Sequence, residues 1–291
     1  CQCRIRQIRG QAGMTVLDIT RRLTAAGIDP ADARSEARLL VSHVTGKPAS
    51  YLLANPMEDF DSPALAEAVG KRAERYPLQY IIGKWEFYGL PFAVNEHTLI
   101  PRPDTELIAE AAIRHTPANG RILDLCTGSG CIAAAILANR TSANGIAVDL
   151  YPETLRAAED NLTALGLNDR CTFVCGDATT DLFDPSVTFD VIVSNPPYIT
   201  ADEMTVLEPE LAYEPEHALT DGGDGLSILE KIIELYKNHL TPDGVMILEH
   251  GWKQSDAVRE IAANNGLTHE KIMDYGNNTR GAVLKRLMAK N

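Results

Sequence analysis

Val191-Ile192-Val193-Ser194-Asn195-Pro196-Pro197-Tyr198 is the stretch whose reading decides the fold. Its β-branched apolar run stops at an Asn followed by two prolines, which predicts a buried strand that delivers Asn195 to its own C-terminal end. Open α/β sheets bind their ligands at that edge. Asn195 offers a side-chain carbonyl, Pro196 a backbone carbonyl in a fixed conformation, and Tyr198 an aromatic face with a polar tip. Two acceptors and a flat surface suit a planar NH2 group. A strand closed by a stiff turn would read the same way, so the neighbouring segments have to decide.

Upstream, Ile122-Leu123-Asp124-Leu125 reads as a short buried strand, Cys126-Thr127-Gly128-Ser129-Gly130 as a glycine turn and Cys131 to Leu137 as a helix packed on the sheet. Glycines in such a turn let backbone approach a ligand at a helix N-terminus, although Gly-x-Gly alone also fits nicotinamide cofactors and plain turns. Ile146-Ala147-Val148-Asp149 is a second strand, ending in an acid about 20 residues past the loop, where ribose hydroxyls are gripped. Phe173 to Asp177 is a third, and Asp177 with its neighbour Ala178 completes the candidate cofactor contacts. Asp124, a further acid just before the loop, would repel a pyrophosphate and favour a cation. Strand-end carboxylates without a phosphate-binding lysine suit adenosine joined to a sulfonium and an ammonium, as in S-adenosylmethionine.

Outward from this centre the pattern changes twice. Residues 14–76 carry apolar positions at helical intervals, broken at Gly27-Ile28-Asp29-Pro30 and Gly46-Lys47-Pro48, and predict a small helical domain. It reads equally as a partner-recognition module or a structural lid. Gln79 to Val94 is rich in aromatic and β-branched residues around Gly83 and Gly89, and predicts a hairpin within a linker over 77–98. In Leu99 to Glu106 a helix should start at Pro103-Asp104, and Arg102 between two prolines is a charge held in place. The methyl-donor domain is expected over 99–291. After Tyr198 a long loop runs through Gly222-Gly223-Asp224-Gly225. Helices over Leu226–Leu240 and Ser255–Asn264 and strands over Val245–Glu249, Ile272–Tyr275 and Ala282–Lys285 follow. The whole predicts an α/β, doubly wound sheet of about seven strands closed by a hairpin.

The acidic balance, 40 Asp and Glu against 27 Lys and Arg for a formal charge of −13, disfavours binding to a nucleic-acid backbone. No apolar run is long enough to span a bilayer and the start lacks a signal-peptide core, so a cytoplasmic protein is expected. The six cysteines form no paired C-x-x-C units and no histidine lies at ligand spacing from them, so reduced, mostly buried thiols and no metal are expected. Residues 1–13, with three arginines and no apolar periodicity, read as an added or upstream extension outside the fold.

Taken together, Pro77-Leu78-Gln79-Tyr80, Phe87-Tyr88-Gly89 with Phe92 and Val94, Ile100-Pro101-Arg102-Pro103-Asp104-Thr105-Glu106, Asp124 to Gly130, Asn195 to Tyr198, and Ala218-Leu219 with Gly222 to Leu226 resemble the HemK/PrmC-type protein-glutamine methyltransferases, which modify bacterial peptide chain release factors. The resemblance runs from Met14 to about Arg286. It departs from the family pattern at Cys126, where Gly is usual, and at His250 of Glu249-His250-Gly251, where Ile is usual. The fold it implies is a Rossmann-like S-adenosylmethionine-dependent methyltransferase domain behind a small N-terminal helical bundle.

The implied reaction is methyl transfer to the side-chain amide nitrogen of a release-factor glutamine, in a Gly-Gly-Gln motif. Asn195 and the Pro196 carbonyl would accept the two amide hydrogens, and Pro197 and Tyr198 would sandwich the amide plane. The implied partners are release factors, with no direct nucleic acid and no membrane, and the implied state is a monomer. A ribosomal-protein glutamine methyltransferase, an adenine-amine methyltransferase and a binding module that has lost catalysis are the alternatives.

Overall fold

The computed structural model describes residues 14–287, so the extension expected over residues 1–13 lies outside the described residues. The chain divides into two compact units between Ile82 and Gly83.

The first unit holds helices α1 (Val16–Ala25), α2 (Pro30–Thr45), α3 (Ala49–Ala54), α4 (Pro63–Ala73) and α5 (Leu78–Ile82). Local chemistry starts and stops them. The Thr15 hydroxyl accepts from the Asp18 N–H to cap α1, Asp29 followed by Pro30 opens α2, and Gly46 at φ +71 ends it. Ile19, Leu23, Leu40, Val41, Leu52, Leu65 and Val69 are all buried in one shared core. The buried Arg72 guanidinium donates to both Glu36 oxygens at 2.7 and 3.1 Å, so its charge is met by a bidentate partner.

The second unit opens with a hairpin of β1 (Lys84–Phe87) and β2 (Leu90–Ala93). The pairing covers fewer residues than the predicted 79–94, because Leu78–Ile82 is a helical turn buried at Leu78. Instead of lying as a bare linker, the hairpin inserts Phe87 and Phe92, edge to face at 6.2 Å, into the core of the second unit. Then come α6 (Thr105–His115), β3 (Arg121–Leu125), α7 (Cys131–Asn139), β4 (Asn144–Asp149), α8 (Pro152–Ala164), β5 (Cys171–Cys175), β6 (Phe189–Ser194), α9 (Ala201–Met204), α10 (Ser227–Tyr236), β7 (Leu240–Glu249), α11 (Ser255–Asn264), β8 (Leu267–Met273) and β9 (Thr279–Arg286).

The seven-stranded sheet has the order β5-β4-β3-β6-β7-β9-β8. Its first five strands are parallel, and β9 runs antiparallel between β7 and β8. The chain winds from β3 toward β5 on one side and from β6 toward β7 on the other, so the point of reversal lies between β3 and β6. Leu125 pairs with Ser194 there, and the Ser194 hydroxyl donates to the Leu125 carbonyl at 2.7 Å. The glycine turn and the Asn-Pro-Pro turn therefore leave the sheet side by side, in the crevice where α/β sheets bind ligands. Strands β8 and β9 are longer than predicted, and α10 ends before Leu240. A 3-10 turn over Lys237–His239 breaks the helix, with the buried His239 ring held by the Val187 carbonyl at 2.7 Å and Asp181 at 3.0 Å. Among the described residues no helix is long and apolar enough to cross a membrane.

Candidate active site

Two strand ends build the site. After β3 the backbone enters the left-handed region at Cys126 (φ +57), Gly128 (φ +58) and Gly130 (φ +78). Cys126 thus takes a conformation that favours glycine, a physical reason for Gly being usual there. Gly128 has open space where a Cβ would stand, and its N–H donates to Asp149 Oδ2 at 2.9 Å. A Cβ on Gly130 would sit 2.7 Å from Leu162 and 3.1 Å from Ala158, so that glycine serves the packing of the turn on α8. From α8 the buried Asn161 amide donates to the Ser129 and Ala93 carbonyls at 3.0 and 3.1 Å, tying the turn to the hairpin.

Above the turn lies a cavity of about 300 Å³. Cys126, Thr127, Gly128, Ser129, Asp149, Asp177, Ala178, Asn195 and Pro197 of the expected set line it. Asp124, Gly130, Pro196 and Tyr198 are not among its lining residues. Asp124 is fully buried beneath the turn, where Oδ2 accepts from Thr127 Oγ1 at 2.7 Å and the Ala133 N–H at 3.2 Å. Burial pushes its carboxyl up to about 7. Asp149 is pushed up by burial too and drawn back by the N–H groups of Gly128 and Tyr151. Each of its oxygens accepts one N–H, Gly128 on Oδ2 and Tyr151 on Oδ1, so lone pairs remain for a ligand's hydroxyls.

After β6 the Asn195 amide Nδ2 donates to Thr105 Oγ1 at 3.2 Å. The Tyr198 hydroxyl donates to Glu249 Oε1 at 3.0 Å, and Glu249, buried at the end of β7, is itself pushed up to about 7 by burial. The carbonyl of Tyr198 accepts from Gln254 Nε2 at 3.0 Å. The loop then folds back, with the Ile199 N–H on the Leu219 carbonyl and the Ala201 N–H on the Gly223 carbonyl, both at 2.9 Å. Its Glu214 side chain is buried, forms an ion pair with Arg102 and accepts the Ile100 N–H at 3.0 Å. The expectation that Arg102 is held in place has this pair as its structural form. The same loop brings His217 to the cavity wall, where its ring stacks on Tyr151 at 3.7 Å.

The residues present fit S-adenosylmethionine. Asp149, Asp177 and Asp221 make an acidic wall, and among the described lining residues Arg102 is the one lysine or arginine, already engaged by Glu214. A cationic nucleoside is favoured there and a phosphate is not. Among the described residues no group of three or more His, Cys, Asp or Glu is placed to hold a metal ion. Cys126, Cys131, Cys171 and Cys175 are free thiols; Cys131 and Cys171 are buried, and Cys175 is exposed at the end of the rim strand β5.

Comparison with known proteins follows the same division. The PrmC N-terminal domain family matches residues 16–83 and the methyltransferase small domain family matches residues 104–241. The release factor glutamine methyltransferase of Salmonella typhimurium is 38% identical over 258 residues, 87% of this chain and 92% of that protein. That of Cereibacter sphaeroides is 40% identical over 255 residues, 87% of this chain and 90% of that protein. The chain belongs to the release factor glutamine methyltransferase family. Among solved structures, the hMettl16 catalytic domain bound to an MAT2A 3′UTR hairpin superposes with a TM-score of 0.55 at 18% identity over 80% of this chain and 85% of that one. At that identity the likeness is one of fold.

For a release factor glutamine methyltransferase, the residues that sequence reasoning missed share one property: they reach the cavity from other elements. Thr105 comes from the start of α6, His217 from the returning loop and Tyr151 from the turn after β4. Thr105 stands in the Ile100-to-Glu106 motif and Tyr151 follows the strand-end acid Asp149 and precedes the helix-opening Pro152, so both left a signal, whereas His217 left none. The departure at His250 is a buried ring against the Gly251 carbonyl at 2.8 Å, and it does not line the cavity.

Proposed function

We infer that this enzyme transfers the methyl group of S-adenosylmethionine to the side-chain amide nitrogen of a glutamine in peptide chain release factors, within their Gly-Gly-Gln motif. The observation that carries the reading is the direction of Asn195. Its NH2 group is engaged by Thr105 at 3.2 Å, which leaves its carbonyl oxygen for a substrate amide at the mouth of an acid-walled cavity. The high identity to named relatives along most of the chain supports the choice of substrate.

An amide nitrogen is a weak nucleophile because its lone pair is shared with the carbonyl. The bound cofactor supplies an electrophilic methyl on a sulfonium. What the chain contributes is placement. Asn195 Oδ1 and the Pro196 carbonyl accept the two amide hydrogens and aim the nitrogen, while Pro197 covers the amide plane. Acceptors fixed before the reaction also stabilise the positive charge that grows on nitrogen. The proton leaves after methylation, when the nitrogen has become acidic, so no group needs to remove it beforehand.

One glutamine side chain offers too little surface to select a protein, so the helical unit supplies the further recognition surface. The enzyme works as a monomer and does not engage nucleic acid directly. The test is incubation with labelled S-adenosylmethionine and a purified release factor, followed by peptide mapping. The label is expected on the glutamine of the Gly-Gly-Gln peptide, with a free peptide of that sequence a poor substrate. Label on another residue, or DNA adenine methylated at a comparable rate, overturns the reading.

A further inference from the structure

The acidic wall of the cavity suits only part of S-adenosylmethionine. Asp149, Asp177 and Asp221 favour its sulfonium and ammonium, but the same molecule carries a carboxylate, which those acids repel. A ligand with that charge pattern needs a fixed donor at one end of the cavity.

Hydrogen bonds along the wall show which end. Asp149, bonded to the Gly128 and Tyr151 N–H groups and with lone pairs left for hydroxyls, marks the ribose end. Asn195 marks the reacting end. Ribose, methyl and amino-acid chain are the three substituents of the sulfonium sulfur, so a methyl directed at Asn195 with the ribose on Asp149 carries the amino-acid chain away from Asp149. Thr105, bonded to Asn195 at 3.2 Å, lines the cavity there, and its N–H donates to the Arg102 carbonyl at 3.1 Å. Arg102 is thus the cation of the reacting end. The other basic side chains on the described wall, His97 and His217, stand toward the ribose. His217 stacks on Tyr151 at 3.7 Å, and the His97 carbonyl accepts from Thr154 Oγ1 at 2.7 Å, on the helix that follows Asp149.

Arg102 is also held in place before a ligand arrives. Pro101 and Pro103 flank it, and its Nη2 pairs with the Glu214 carboxylate, whose side chain is 1% exposed. The other Glu214 oxygen accepts the Ile100 N–H at 3.0 Å, which fixes the carboxylate from a second side. A guanidinium is a rigid fork of several N–H donors, so a pair made through one nitrogen leaves donors for a second carboxylate. The Arg102 side chain is 34% exposed and lines the cavity.

We propose that Arg102 is a cofactor-binding residue that takes the methionine carboxylate of S-adenosylmethionine, and that Glu214 is the positioning residue that aims it. Because Glu214 already balances its charge, Arg102 supplies directed donors more than net charge. That suits one carboxylate and not a multiply charged phosphate. Glu214 stands on the loop that returns from the substrate turn, so the loop that frames the substrate also sets the group that reads the cofactor. The inference rests on the methyl donor and not on which residue is methylated.

The experiment is calorimetry on the full chain without any release factor, so its outcome is separate from that of the peptide mapping. The ligands are S-adenosylmethionine and its decarboxylated form, which keeps the adenosine, sulfonium and ammonium and lacks only the carboxylate. The unsubstituted protein should prefer S-adenosylmethionine by ~10–100-fold, the scale of hydrogen bonds between charged groups. Arg102→Gln should abolish that preference through loss of S-adenosylmethionine affinity alone, with the decarboxylated form bound as before. Glu214→Gln should reduce the preference by a smaller factor, again without change toward the decarboxylated form, a selectivity that a merely structural role would not produce. A folded Arg102→Gln that keeps the preference, or an unsubstituted protein that has none, overturns the proposal. An intact preference in Glu214→Gln overturns its positioning role. If circular dichroism shows that Arg102→Gln fails to fold with Glu214 left unpaired, the double variant Arg102→Gln, Glu214→Gln removes the orphan charge, and a preference retained there overturns the proposal equally.

Discussion

The turn after β3 and the loop after β6 leave neighbouring strands at the same edge of the sheet, yet they are built in different ways. The first is short and held by near neighbours. Thr127 bonds to Asp124 and the Val148 carbonyl, Gly128 bonds to Asp149, and positive φ at two glycines closes the turn. The second runs from Asn195 to Leu226 and is held from afar. Thr105 engages Asn195, Glu249 engages Tyr198, Arg102 and the Ile100 N–H engage Glu214, and Gln254 engages the Tyr198 carbonyl. A cofactor of fixed shape can be met by a backbone cradle that closes locally. A substrate amide has to be presented at one angle, and only side chains from several elements give that angle independent supports.

The sharpest way to break the comparison is to strain the second loop alone. Gly225 lies at φ +73, and a Cβ there would come 2.0 Å from the Tyr198 carbonyl oxygen. Gly225→Ala should cost ~2–4 kcal/mol of stability or local order, from the left-handed backbone and the clash together. Methylation should fall far more than cofactor affinity, measured by calorimetry beside single-turnover rates. Equal losses in both would mean that the two loops form one cooperative piece.

The converse substitution is Asp149→Ala. It removes the acceptor for the Gly128 and Tyr151 N–H groups and the lone pairs left for ribose hydroxyls. Affinity for S-adenosylmethionine should drop by ~1.5–3 kcal/mol, the scale of hydrogen bonds to a charged group, with kcat at saturating cofactor much less affected. Unchanged affinity in a folded variant would remove Asp149 from the cofactor site.

The smallest effect concerns the buried acid beneath the first turn. Asp124 has an ordinary value of 3.8 when unfolded and about 7 in the fold, with burial as the main cause. Between those pH values the unfolded chain releases the proton and the folded chain retains it. Stability present below 3.8 is therefore lost as pH rises through about 7. Asp124→Asn has no such proton to lose. The cofactor-free variant should gain ~1–2 kcal/mol over the parent at about pH 8 and little at about pH 4, read from Tm at both. A gain independent of pH would show that ionisation of Asp124 is not the source.

Much of the first turn was legible because its signals are local. A β-branched run, a glycine turn and an apolar helix start occupy adjacent positions, and the strand-end acids recur with each βα unit. The doubly wound sheet followed from the same alternation of strands and helices. Where the reading went astray, local propensity lost to context. Gln79 to Ile82 has the composition of a strand but forms a helical turn, since Leu78 packs into the helical core. Leu240 continues an apolar helical pattern but opens β7, since the buried His239 ring ends the helix.

What the sequence determined by itself is the set of groups and the order in which the sheet delivers them: an amide followed by two prolines after one strand, glycines after the next, carboxylates at the strand ends. Their direction was decided by the tertiary structure. Asn195 can point either face of its amide outward, and the Tyr198 hydroxyl can donate to water or to a carboxylate. No neighbour in the chain chooses between these states. Thr105 meets the Asn195 amide and Glu249 the Tyr198 hydroxyl, brought from α6 and β7, because a hydrogen bond has a direction only when both partners are in place.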